Sequence, residues 1–208
     1  MNPERSRVLV AVRVPCEPAE AWKRFTAEIG EWWRPNPLFA FSPGRSGTLA
    51  FEPGVGGRLT ETYPDGSLFV IGVITLWEPP RRLEVSWRQA SFGPEQSTEL
   101  HVAFEHAGPG ETRISVEHYG WDSLPADHAA RHGFPLPDFQ LRFAEWWRAL
   151  LSEAFAPASS HGTRRGSGSG HDGRPRGRGA ARVGPSDGSH LDGVQMTCRL
   201  SLKGGHNR

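Results

Sequence analysis

His118 carries the most chemistry of any side chain in this sequence. It closes the series Ile114-Val116-His118, whose intervening residues Ser115 and Glu117 are polar. Period-two alternation puts Ile114, Val116 and His118 on one face of a strand, and the apolar face is the one that turns inward. An imidazole there can exchange one hydrogen bond with a bound molecule, or serve as an acid or base. The same position suits a histidine hydrogen-bonded to the adjacent Tyr119-Gly120-Trp121 loop, which is the commoner fate of a buried histidine.

Tryptophan is the second signal. The chain has eight, and Trp32, Trp33, Trp87, Trp121, Trp146 and Trp147 could line an aromatic pocket, each with a large rigid surface and one N–H donor. Core packing competes with that reading and is preferred for Trp87 and for one of Trp146 and Trp147. Trp32, Trp33 and Trp121 lie in or beside Pro- and Gly-containing segments and are expected at a pocket mouth. Arg58 alternates with Leu59 in Arg58-Leu59-Thr60-Glu61-Thr62-Tyr63. If its face turned inward it would offer a guanidinium to an anionic head group, although outward is the default for a charge. His128 and His132 are four apart, a spacing that suits two metal-binding imidazoles on a helix. Their segment is flanked by Pro125 and Pro135 and reads as loop, and no third ligand is evident. Neither a metal nor a cofactor is therefore expected. No phosphate-binding Gly-rich loop, Gly-x-Ser-x-Gly elbow or Cys-x-x-Cys pair occurs, and no residue set demands catalysis.

The elements that must position these residues follow from periodicity. Val8, Val10, Val12 and Val14 alternate as a first strand. Pro18 then suits the first position of a helix, and Ala21, Trp22, Phe25 and Ile29 recur at helical spacing, with Gly30 interrupting. Short strands follow at 48–51, 58–63, 68–77, 83–87, 97–106 and 112–119, separated by turn signals such as Pro64-Asp65-Gly66 and Gly108-Pro109-Gly110. Such a run reads as an antiparallel sheet. Leu100, Val102 and Phe104 share the inward face with Ile114, Val116 and His118. Gly120 to Pro137 reads as loop, with Asp138 as the N-cap of a long helix. Phe139, Phe143, Trp146, Trp147, Leu150, Leu151 and Ala154 give that helix a wide aromatic stripe, which should lie against the sheet.

Composition breaks near Pro157. Residues 157–208 hold nine Lys or Arg against three Asp or Glu, a charge of +6, and residues 1–156 hold 15 against 20, a charge of −5. The division is a domain over 1–156 and a basic Gly/Ser/Arg-rich tail over 157–208 that is expected to be disordered. An acidic domain argues against nucleic-acid binding, which needs a basic face, except weakly through the tail. No run approaches the ~20 apolar residues of a membrane span. The polar start and the two distant cysteines, Cys16 and Cys198, fit a cytoplasmic protein without a signal peptide.

Local motifs add a resemblance. Val14-Pro15 with Pro18-Ala19-Glu20-Ala21-Trp22, the Trp32-Trp33 pair, Gly56-Gly57 with Asp65-Gly66 and Gly72, Pro79-Pro80-Arg81-Arg82-Leu83-Glu84-Val85-Ser86-Trp87, and Thr112 to His118 occur in that order. Together they resemble the SRPBCC/START-like helix-grip superfamily, in its activator of heat-shock-protein-90 ATPase homologue-like branch, over Ser6 to about Phe155. The resemblance implies an α+β fold: a curved antiparallel sheet wrapped around a long C-terminal helix, with two short helices after the first strand. It also implies a cavity between sheet and helix. Glu145-Trp146-Trp147 stands where relatives often have Gly-Gly-Trp or Gly-Trp, a change that would narrow that cavity.

The expected function is binding of a small, largely apolar molecule, with Trp32, Trp33, Arg58, Trp87, His118, Trp121, Phe143 and Trp147 as pocket candidates. The alternative is a co-chaperone-like interaction module whose partner is the chaperone.

Overall fold

The computed structural model describes residues 6–156, and the tail expectation falls on residues outside that range. Strand β1 (Arg7–Val14) leads into two short helices, α1 (Pro18–Thr26) and α2 (Ile29–Trp32). Six strands follow: β2 (Thr48–Phe51), β3 (Arg58–Thr62), β4 (Leu68–Glu78), β5 (Arg82–Trp87), β6 (Thr98–Gly108) and β7 (Glu111–Tyr119). Helix α3 (Leu136–Ala154) comes last. The seven strands form one antiparallel sheet in the order β1-β7-β6-β5-β4-β3-β2. This is the helix-grip arrangement: a curled sheet whose inner face is covered by α3 and the short helices.

Strands β1, β5 and β7, and β6 over most of its length, bury every second side chain, whereas β3 buries the three consecutive residues Leu59, Thr60 and Glu61. Val8, Val10, Val12 and Val14 of β1 continue across the sheet through Ile114, Val116 and His118 of β7 to Leu100, Val102 and Phe104 of β6. Residues of the opposite parity meet water, and there charges pair across strands, as with Arg113 and Glu105. Register shifts at Leu59/Thr60 and Ile74/Leu76 bend β3 and β4, and such bulges are what let a long sheet curl. Gly72 lies between those shifts, where a Cβ would sit 1.7 Å from the Ser86 carbonyl oxygen. No larger residue fits there, and the approach lets the Ser86 hydroxyl accept from the Val73 N–H at 2.8 Å.

The long helix starts two residues earlier than Asp138. Pro135 is its N-cap residue and Pro137 falls in its first turn, where a missing N–H costs nothing. Its stripe runs from Phe139 through Phe143, Trp147 and Leu150 to Ala154, all buried. The apolar helical run expected from Ala21 to Ile29 is split into α1 and α2, both with their apolar side chains inside. The 120–135 loop contains two single turns of tighter helix, at Trp121–Ser123 and Ala129–Arg131. Gly120, at φ 90°, makes the left-handed turn that carries the chain off β7 and puts Trp121 over the inner face. Among the described residues no helix is long and apolar enough to cross a membrane.

Candidate functional site

The inner face of the sheet ends, on the side of the 120–135 loop, in a cluster of rings around His118. His118 lies opposite Val8 of β1 and Leu100 of β6 and is wholly buried. Its ring centroid is 5.3 Å from that of Trp87, 5.1 Å from Trp121 and 5.1 Å from Phe143. Trp147 touches Trp87 at 6.2 Å, and Trp33 packs on both.

One hydrogen-bond chain fixes the state of the imidazole. The Thr98 hydroxyl donates to the Trp87 carbonyl at 3.2 Å, and its oxygen lies 2.8 Å from His118 Nε2. A hydroxyl has one proton, so both contacts are made at once only if Nε2–H is the donor and the Thr98 oxygen accepts. Nδ1 is then a bare acceptor. Burial holds the imidazole far below its ordinary pKa, at about 3, with His101 a lesser cause. The ring is therefore neutral through the physiological range.

Six buried side-chain polar atoms among the described residues have no hydrogen-bond partner, and four of them belong to this one cluster. They are His118 Nδ1 and the indole Nε1 atoms of Trp87, Trp121 and Trp147. A buried donor or acceptor left unpaired typically costs about 1–3 kcal/mol, a cost that the ring packing around these four atoms has to offset. The cluster holds one acceptor and three donors.

Two loops cover it. From the 33–47 segment Phe39 packs on Phe143 at 4.9 Å and on Trp146 at 5.0 Å, while Phe41 reaches Trp87 at 5.0 Å. This segment is held by Ala90 N–H donating to the Phe41 carbonyl at 2.7 Å, and by Gly47 N–H donating to buried Glu61 at 2.8 Å. The Tyr63 hydroxyl lies 2.7 Å from Ser42 Oγ and 2.9 Å from Glu61. In the 120–135 loop the buried Arg131 guanidinium donates to the carbonyls of Leu124 and Phe134, both at 2.8 Å. The two covers meet where the His132 imidazole contacts the Leu38 carbonyl.

Arg131→Ala strips both loop carbonyls of a charged donor, so a stability loss of about 2–3 kcal/mol is expected from the urea midpoint. A loss below about 0.5 kcal/mol, the range of an ordinary surface substitution, would show that Arg131 does not hold the loop.

The pocket candidates are distributed as follows. Trp87, His118, Trp121, Phe143 and Trp147 come together in the cluster, with Trp33 at its flank. Trp32 is buried further off against Phe25, and its N–H donates to the Arg24 carbonyl at 2.9 Å. Trp33 and Trp121, expected at a mouth, are drawn inside because Phe41 and the turn after Gly120 close over them. Arg58 faces outward and makes two hydrogen bonds to Glu52, at 2.8 and 2.6 Å. His128 accepts from Ala130 N–H and contacts Gln96, while His132 turns to Leu38. Among the described residues no group of three or more His, Cys, Asp or Glu is placed to hold a metal.

Thr98, Phe39, Phe41 and Arg131 were missed in the sequence. Thr98 was legible, since it shares the parity of Leu100 and Val102. The other three lie in loops and carry no periodic signal. A surface groove of about 720 Å³, lined by Pro18, Pro80 and Phe104 among others, contains none of the candidates.

The profile of one family, described as activator of Hsp90 ATPase homolog 1-like protein, matches residues 15–155. This chain belongs to that family. Among solved structures, the activator-homologue fold seen here is shared with a Mesorhizobium loti protein, at 18% identity and TM-score 0.50, over 71% of this chain and 93% of that one. At that identity the likeness is one of fold. The Aha1 dimer of Colwellia psychrerythraea is similar at 15% identity and TM-score 0.46, over 72% of this chain and 92% of that one. An anthrahydroquino-γ-pyrone synthase is similar at 29% identity and TM-score 0.41, over 75% and 92%. No curated protein matches this family member.

The Trp146-Trp147 pair marks where this activator homologue-like chain fills its interior. Both rings are buried, and Trp146 sits 5.1 Å from Trp33.

Proposed function

We propose that this chain binds a small, largely apolar molecule between the sheet and α3, in the aromatic cluster around His118. The observation that carries the reading is the set of four unpaired polar atoms, His118 Nδ1 and three indole N–H groups, enclosed by rings. An apolar body gains by burial against those rings. A few polar atoms on the same molecule would recover the unpaired hydrogen bonds and set its orientation. Trp32 and Arg58 stand outside this set. Entry requires the 33–47 segment to lift, because Phe39 and Phe41 lie over the cluster.

The test is calorimetric titration of the full chain with a library of neutral aromatic and aliphatic compounds, together with mass spectrometry of what co-purifies. Saturable one-to-one binding that displaces any co-purified molecule is expected. If no neutral apolar compound binds, the reading fails.

The second reading is a cytoplasmic co-chaperone role, favoured by the description of the family itself. Under it the chain stimulates the ATPase of the chaperone without a ligand, and an ATPase assay with and without the chain separates the two.

A further inference from the structure

We propose that His118 is the specificity-determining residue of the buried cluster, and that the cluster selects neutral aromatic molecules carrying a hydroxyl over the matching ethers and anions. This rests on the reading that the interior binds a small apolar molecule. It adds which chemistry is chosen and by which atom.

The direction of the Thr98 hydrogen bond decides the first step. Because the Thr98 hydroxyl is spent on the Trp87 carbonyl, the imidazole must present its proton at Nε2 and its lone pair at Nδ1. Nδ1 is buried and without a partner. A lone pair fixed in one place and shielded from water takes a donor, and the simplest donor on a neutral ligand is a hydroxyl. An ether of the same shape has no proton to give and leaves Nδ1 unpaired. Sites built to hydrogen-bond a hydroxyl reject the analogue lacking it far more strongly than apolar walls reject an extra methylene.

The second step concerns the ligand oxygen. The rings of Trp87 and Trp121 contact the imidazole, and the Nε1–H of each is a buried donor without an acceptor. A hydroxyl oxygen has lone pairs to spare after giving its proton to Nδ1, so it can also accept from an indole N–H wherever one lies within hydrogen-bond reach. A cation offers no such acceptor.

The third step excludes anions. The side chains in ring or hydrogen-bond contact with His118 are Trp87, Thr98, Trp121 and Phe143, none of them charged. A carboxylate among them would be buried without a counter-ion and would face the lone pair of Nδ1. Arg58, the cationic candidate from the sequence, is engaged outside by Glu52. A bound carboxylate would also require protonation of an imidazole that burial holds far below its ordinary pKa. The planar walls add the preference for an aromatic body, since offset and edge-to-face ring contacts contribute beyond area alone.

The experiment is isothermal titration of the full chain with three probes of one skeleton: 2-naphthol, 2-methoxynaphthalene and 2-naphthoate. The parent is expected to bind 2-naphthol about tenfold tighter than the methyl ether, with no measurable binding of the carboxylate. In His118→Phe the ratio falls to about one through loss of naphthol affinity, while ether affinity is kept. Thr98→Val releases the tautomer and lowers the ratio without removing the imidazole. Its independent signature is the ¹⁵N shift of the ring nitrogens, which in the parent reports a single Nε2–H tautomer.

Should His118→Phe fail to fold, the parent ratio and the Thr98→Val result still decide. Equal binding of naphthol and its ether by the parent would overturn the inference and leave the ligand reading standing. Tight naphthoate binding would overturn it as well. If neither neutral probe binds while other apolar compounds do, the selection of aromatic alcohols is wrong. If nothing binds at all, the ligand reading falls and takes this with it.

Discussion

Replacing Phe143 by alanine is expected to lower stability by about 3–5 kcal/mol, read from the urea midpoint at unchanged slope. Phe143 is wholly buried and sits where every part of the interior meets. Its ring is within 5.7 Å of Phe39, Phe139, Trp121, Trp146 and His118. Those partners come from the 33–47 segment, from α3 itself, from the turn after Gly120 and from β7. Removing the ring leaves a void that large, rigid neighbours cannot readily collapse into, and this puts the cost at the high end for a truncation. Phe143→Leu keeps much of the volume and should cost roughly 1–2 kcal/mol. A midpoint for the alanine variant within about 1 kcal/mol of the parent would mean that α3 does not clamp the sheet through this residue. The same ring borders His118, so under the proposed ligand-binding reading the alanine variant should also discriminate less among apolar probes wherever it stays folded.

Acidification is the second large effect, and His118 sets its sign. The folded pKa, about 3, lies below the ordinary value of 6.5. Only the neutral ring is accommodated in the fold, while the unfolded chain takes up a proton as the pH drops. The stability tied to this residue is therefore complete above about pH 6.5 and is lost progressively as pH falls toward about 3. Each pH unit in that window corresponds to about 1.4 kcal/mol, so moving from about pH 7 to about pH 5 should remove on the order of 2 kcal/mol. Glu52, Asp65 and Glu78 are held below their ordinary values mainly by hydrogen bonds from Arg58, Ser67 and Arg82 respectively. Their stability is lost only at lower pH, as it falls below the ordinary carboxylate range. Comparison with His118→Gln isolates the histidine, since the amide still donates to Thr98 and does not titrate. The variant should show a flatter loss between about pH 6.5 and pH 5 than the parent, by most of that 2 kcal/mol. Parallel urea midpoints for the two proteins across the window would refute the assignment.

Both predictions concern residues whose inward placement was readable in the chain. The parity of Ile114-Val116-His118 is enough to put the imidazole inside, because a strand has only two faces and the apolar one is buried. The stripe from Phe139 to Ala154 likewise required a partner surface as wide as a sheet. The run of short strands, the proline-marked helix start at Pro18 and the long final helix all express local rules, and the structure follows them closely. The family resemblance adds the order in which those pieces close on each other.

What the chain could not reveal depends on which side chains meet across large sequence distances. Arg58 has no periodic cue for its side of the curled edge; its outward placement follows from the turn of β2 into β3, which brings Glu52 within 2.6 Å. Trp33 and Trp121 looked like rim residues because they border loops, yet Phe41 and the left-handed turn at Gly120 fold over them. The state of His118 is the clearest case. Burial alone would leave its tautomer undecided. Thr98 is 20 residues away in sequence and two strands' register must align to set its hydroxyl 2.8 Å from Nε2 and 3.2 Å from the Trp87 carbonyl. Sequence periodicity determined which face each residue occupies, because that depends only on backbone geometry repeated every two or 3.6 residues. The tertiary structure decided which polar atoms are satisfied, because a hydrogen bond needs two partners within about 3 Å and no local pattern carries that distance.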